Sequence, residues 1–205
     1  GIWSYLHGDG TAEEFKALLR QRYPAPQYFL ESSAQSLERF GMSRLDAFYY
    51  SLIPAMTRTG LSQHWGPNPG LDSLKAAGEY VRTLFVGVHV ERCYLVMLDG
   101  RGRLIRSALL QRGAVDNAPF YLEQVLTVTL QEEAQFLVLA HNHPGGTRSP
   151  SREDIVCTLR TINACTPLQV SLLDHLIVAA DEVVSIRQAG LIPAMLGRAA
   201  QPGNR

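Results

Sequence analysis

The sequence predicts an α/β (α+β) fold, a mixed β-sheet flanked by helices and preceded by a small N-terminal helical domain. Three observations carry this. Helical patterning fills the chain as far as Thr59, and Gly66-Pro67-Asn68-Pro69-Gly70 then interrupts it. Beyond that point helical stretches and short apolar runs follow one another to Ile192. The divisions drawn are 1–65, a helical accessory domain; 66–71, a linker; 72–193, the sheet-bearing domain; and 194–205, a frayed polar tail.

In the first domain Thr11 reads as the N-cap of an amphipathic stretch ending near Tyr23-Pro24. A second helix spans 33–40 and is closed by Gly41; a third runs from Ser43 towards Thr59. Pro54 predicts a kink or an early end to it. Phe40, Phe48, Tyr49, Leu52 and Ile53 are the expected small core.

From Leu71 onward, Asp72 is the expected cap of a helix reaching about Val86, with Leu74, Ala77, Tyr80, Val81 and Leu84 on one face. Strands over 93–98 and 104–110 are joined by the turn Asp99-Gly100-Arg101-Gly102. A helix over 119–133 opens on Pro119, which suits a first helical turn. The run Phe136-Leu137-Val138-Leu139-Ala140 reads as a buried strand. A helix over 151–165 and strands over 168–179 and 183–186 complete the sheet.

The strand at 136 leads into His141-Asn142-His143-Pro144-Gly145-Gly146, where Pro-Gly-Gly turns the chain back. Two imidazoles two residues apart on a strand project to one side of the sheet. Asp154 returns in the first turn of the next helix. Two nitrogens and one oxygen facing one point are the ligand set of a zinc that keeps a position open for water. Ser151-Arg152-Glu153-Asp154 also fits a helix cap, with an acidic residue at the third position. The two roles are compatible, since a cap can hold Asp154 in place as a ligand.

His-x-His, seven residues, then Ser-x-x-Asp resembles the JAMM (MPN+/JAB) metalloprotease motif. Pro150-Ser151, Leu173-Asp174-His175-Leu176-Ile177-Val178 and Ala189-Gly190-Leu191-Ile192 narrow the resemblance to the RadC-like branch, over about Leu71 to Ile192. The resemblance implies a JAB/MPN-like sheet, a cytidine-deaminase-like sandwich, and zinc-dependent hydrolysis of a peptide or isopeptide bond. By position it makes His141, His143 and Asp154 the ligands of one Zn2+ per chain and Ser151 the oxyanion helper. Glu91, opening Val90-Glu91-Arg92-Cys93-Tyr94-Leu95, becomes the acid/base; on spacing alone it is equally a solvated charge at a helix-to-strand junction. The sequence departs from the family over 113–122, where a Gly-Thr and a Pro-Arg-Glu are usual; that bears on the substrate groove, not the metal.

His175 reads either as a residue orienting a ligand or as a hydrogen-bonded histidine packed by Leu173 and Leu176. Thr147 and Arg148 sit in the loop beside the site and either touch substrate or face solvent. Trp3 and Trp65 read as core or interface groups.

Nineteen basic residues balance nineteen acidic ones, which leaves no electrostatic footprint for nucleic acid. RadC-like proteins often carry a helix-hairpin-helix region; here Phe40-Gly41-Met42-Ser43 lacks its second glycine. Residues 1–70 hold six basic and six acidic side chains, a net of zero, so a protein-docking role is expected rather than DNA binding. No apolar run reaches membrane-span length, and no signal peptide is expected. Cys93, Cys157 and Cys165, odd in number and without Cys-x-x-Cys spacing, read as reduced thiols of a cytoplasmic protein. The same lack of cysteine pairs removes a zinc deaminase.

The competing reading is a DNA-repair-associated or scaffold protein with a structural or vestigial zinc. Intact Glu91 and Ser151 weigh against it, because a structural site needs neither and fills its fourth position. A metal-dependent nuclease is weaker still, with one carboxylate ligand and no second metal cluster.

Overall fold

The computed structural model describes residues 17, 20–21, 32–88, 90–112, 118–179 and 182–192. Of the helix expected after Thr11 only residues 17 and 20–21 are described, and these are helical; Trp3, the segment 113–117 and the tail lie outside the described residues. The chain divides into two compact units, residues 1–61 with 86–89, and residues 62–85 with 90–205.

In the first unit, α1 (Ala34–Arg39) is capped by Ser33, whose hydroxyl accepts from the Ser36 N–H. Gly41 ends it with φ at +105°, a conformation that only glycine adopts without strain. The Ser43 hydroxyl accepts from the Asp46 N–H at the start of α2 (Arg44–Gln63). Pro54 does not end this helix early. A proline removes one helical hydrogen bond, and the remaining turns of a 20-residue helix carry it to Gln63. The expected core needs correction. Phe48, Tyr49 and Ile53 are 51%, 58% and 42% exposed, whereas Leu37, Met42, Ala47 and Pro54 are buried. Ala47 and Pro54 lie seven residues apart on one face, and the larger side chains fall to either side of it.

The second unit begins with α3 (Leu74–Leu84). Its cap is Ser73 rather than Asp72: the Ser73 hydroxyl accepts from the Ala76 N–H, and its own backbone is extended, as a cap requires. Ala77, Tyr80 and Val81 are buried on the expected face. Trp65 packs edge-on against Tyr80 with ring centroids 5.8 Å apart.

Strands β1 (Arg92–Leu98) and β2 (Leu104–Arg112) form an antiparallel hairpin. Asp99 Oδ1 accepts from the Arg101 and Arg103 N–H groups, and Gly102 takes the positive φ that closes the turn. Helix α4 (Ala118–Gln131) leads to β3 (Phe136–Asn142), antiparallel to β1. Helix α5 (Arg152–Cys165), a 3-10 turn at Thr166–Leu168 and β4 (Ser171–Ala179) follow, with β4 parallel to β3. Antiparallel β5 (Glu182–Ser185) completes the order β2-β1-β3-β4-β5.

Alternate residues of the central strands, Leu95, Met97, Leu137 and Leu139, pack with Val125 of α4 and Cys165 of α5 in one core. Gly78 of α3 lies where an added Cβ would touch the Val183 side chain at 3.6 Å. Cys93, Cys157 and Cys165 form no disulfide. Among the described residues no helix is long and apolar enough to cross a membrane.

Candidate metal centre

The site forms where β3 ends and α5 begins. His141 shares the parity of Leu137 and Leu139, so its ring emerges at the rim of the core they build. His143 follows on the same side, and its N–H donates to the Val178 carbonyl of β4 at 2.9 Å. Ser151 caps α5, and Asp154 at its third position completes a reciprocal capping box. The Asp154 Oδ2 accepts from the Ser151 N–H at 2.7 Å and from the Ser151 hydroxyl at 2.6 Å. The cap therefore aims the carboxylate: Oδ1 lies 3.2 Å from His141 Nε2, and Oδ2 lies 3.5 Å from His143 Nε2. One ligand atom from each of His141, His143 and Asp154 lies within 4.8 Å of the others.

Donor and acceptor balance places the Nδ1 hydrogens. His143 Nδ1 sits 2.7 Å from the Thr147 carbonyl, which can only accept, so Nδ1 carries the hydrogen. On the other side, Thr158 donates its hydroxyl to the Asp154 carbonyl at 2.6 Å and thus receives from His175 Nδ1 at 2.7 Å. Burial, and after it the charge of His141, hold His175 well below the ordinary 6.5, so its ring is neutral and its Nε2 accepts. That acceptor lies 2.8 Å from His141 Nδ1, which must carry a hydrogen. The Nε2 atoms of both rings then face each other at 2.7 Å, beside a carboxylate. Three electron-rich atoms in such proximity repel unless a cation lies among them. Burial pushes the Asp154 carboxyl up, but the hydrogen bond and charge of His141, and then the Ser151 hydroxyl and N–H, outweigh it and hold the group ionised far into acid. The donor set fits a divalent metal ion.

Glu91 is half-buried and immediately precedes β1. Cys93 and His141 form the last pair of the β1–β3 ladder, and Glu91 lies two residues before Cys93, at the end of the ladder from which His141 and His143 emerge. Arg148 forms an exposed ion pair with Glu182 at 2.9 Å, and Thr147 contributes its carbonyl to His143.

His175 is buried and hydrogen-bonded to both His141 and Thr158. Its place depends on an irregularity in β4, where Leu137 pairs with Leu172 but Val138 pairs with Asp174. The extra residue, Leu173, shifts the parity and turns His175 to the side of Leu139 and His141. Asp174 instead accepts from the Ser185 hydroxyl and the Arg187 N–H. Sequence reasoning missed Thr158. Its spacing of four from Asp154 was the available signal, because that offset puts both on one helical face.

A five-stranded mixed sheet flanked by helices, with this His/Asp cluster at a strand–turn–helix corner, defines a JAB-type protein. The sequence model of the RadC-like JAB domain matches residues 71–191, well over half of the chain. A UPF0758 protein of Neisseria meningitidis serogroup C is 34% identical over 153 residues, 75% of this chain and 68% of that protein. A UPF0758 protein of Bordetella petrii is 31% identical over 183 residues, 89% of this chain and 81% of its own length. The chain belongs to the RadC-like JAB domain family.

Proposed function

We propose that this protein is a zinc-dependent hydrolase of peptide or isopeptide bonds. The observation that carries the reading is the convergence of the Nε2 atoms of His141 and His143 with the Asp154 carboxylate. A zinc ion held there would polarise a carbonyl and acidify a water molecule. Glu91, at the same end of the β1–β3 ladder, is the acid/base: it accepts a proton from the attacking water and returns it to the departing amine nitrogen. Ser151 donates its hydroxyl to the oxygen on which charge grows. In the resting arrangement that single hydrogen is given to Asp154, so Ser151 must turn from the carboxylate to act.

The substrate is a peptide or a protein conjugate, the helical region docks a protein partner, and the protein acts in the cytoplasm without nucleic acid. The test pairs metal analysis with mass-spectrometric detection of cleavage in a peptide and ubiquitin-like-conjugate library. Zinc at one per chain and a cleaved product support the reading. Retention of turnover in Glu91→Gln rejects the base assignment, and zinc without product in any library removes the enzyme.

A further inference from the structure

Asn142 stands between the two histidines and is buried, with only 4% of its surface exposed. A buried amide must find partners for both its oxygen and its nitrogen. It finds them in the main chain on either side of Glu91. Its Oδ1 accepts from the Arg92 N–H at 2.8 Å, and its Nδ2 donates to the Val90 carbonyl at 3.1 Å. The backbone ladder between β1 and β3 stops one step earlier, at Cys93 and His141. Past that step β3 continues its bonding towards β4, through the His143 N–H and the Val178 carbonyl. The Asn142 side chain thus reaches β1 where backbone pairing from β3 has ended.

We propose that Asn142 is the positioning residue for Glu91. A side chain one residue from each histidine grips the backbone one residue before and one residue after the carboxylate. Its two-point grip ties Glu91 to the same strand end that presents both metal-binding rings. The assignment rests on the reading of Glu91 as the acid/base. The chemistry demands an amide: an aspartate would keep the bond to Arg92 but set an acceptor against the Val90 carbonyl, and an alanine would lose both bonds.

The test uses the full chain loaded with cobalt(II) and reads paramagnetic NMR shifts, which report the position of each amide relative to the ion. In Asn142→Ala the Glu91 and Arg92 amide shifts move while those of Ile177 and Thr158 stay, and cobalt affinity remains within about threefold. In Asn142→Asp the Arg92 amide keeps its slow hydrogen exchange and the Glu91 shift alone moves; this near-isosteric variant carries the test if the alanine variant fails to fold. With a cleavable peptide, both lower kcat and leave KM within about twofold; a displacement of about 1 Å costs on the order of 100-fold. Unchanged Glu91 and Arg92 shifts in a folded variant overturn the proposal, as does a uniform movement of all site shifts. Full turnover by Glu91→Gln is a separate failure: it removes the acid/base reading, and this assignment with it, even where the shifts show the grip itself.

Discussion

His141 Nδ1 and His175 Nε2 meet at 2.8 Å across two parallel strands, and this bond sets which nitrogen of His141 faces the ligand cluster. The chain of donors continues through Thr158 to the backbone of Asp154, so two members of the candidate metal centre are joined by one hydrogen-bonded path.

Breaking that path is expected to loosen the metal without touching a ligand. His175→Gln should weaken zinc binding by about 10- to 100-fold, the usual cost of losing a residue that orients a ligand. Thr158→Val, close in shape but without a hydroxyl, should weaken it less. Competition with a chromophoric chelator measures both, and unchanged affinity in a folded His175→Gln protein would show that the ring orientation is held by packing alone.

Metal and stability are expected to be linked. Zinc at 100 times its dissociation constant should stabilise the native protein by about 2.7 kcal/mol. His141→Ala and His143→Ala should bind no zinc and show no zinc-dependent rise in Tm. Calorimetry with and without a chelator checks this, and an equal rise in both variants would place the metal elsewhere.

The metal-free protein is expected to lose stability in mild acid. His175 is held neutral in the native state, below its ordinary 6.5, so the unfolded chain binds the extra proton. Its contribution is complete above pH 6.5 and is lost as the pH falls from there towards the depressed native value. Tm should therefore decline below pH 6.5, and His175→Gln should flatten that slope. Equal slopes in the two proteins would contradict the assignment.

Ser151 has two roles that substitution can separate. Ser151→Ala should destabilise the fold by about 1 kcal/mol through loss of the α5 cap, and Ser151→Gly by only a few tenths. Both remove the hydroxyl that the proposed chemistry uses. Urea denaturation ranks the two; a glycine variant as unstable as the alanine variant would mean that the hydroxyl stabilises chiefly through Asp154.

Cys165 is expected to resist alkylation, because burial pushes its thiol up to about 11. Iodoacetamide at pH 8 should leave it intact in the native protein and label it in urea, as peptide mass spectrometry would show. Fast native labelling would reveal local opening around the end of α5.

The order of strands and helices, the turn at Asp99 and the convergence of His141, His143 and Asp154 are all legible in the sequence. Each rests on local chemistry: apolar periodicity, a proline or glycine in a turn, and a cap that ties a serine to the acid three residues on. The helical unit was less legible. Phe48, Tyr49 and Ile53 have the hydrophobicity of a core, yet they are exposed while Ala47 and Pro54 are buried, a choice of face that apolar character does not settle.

What the tertiary structure alone decided is parity and reach. Strand residues alternate, so Leu172 and His175, three apart, should face opposite ways. The irregularity in pairing opposite Leu137 and Val138 puts them on one face and brings His175 to His141. Asn142 meets the backbone around Glu91 from 50 residues away, a contact set by strand pairing and carried by no local pattern. The sequence by itself determined the reactive groups and the corner that gathers them. The sheet determined which buried polar groups hold them, because unpaired amides and imidazoles in a core find partners only where strand register places them.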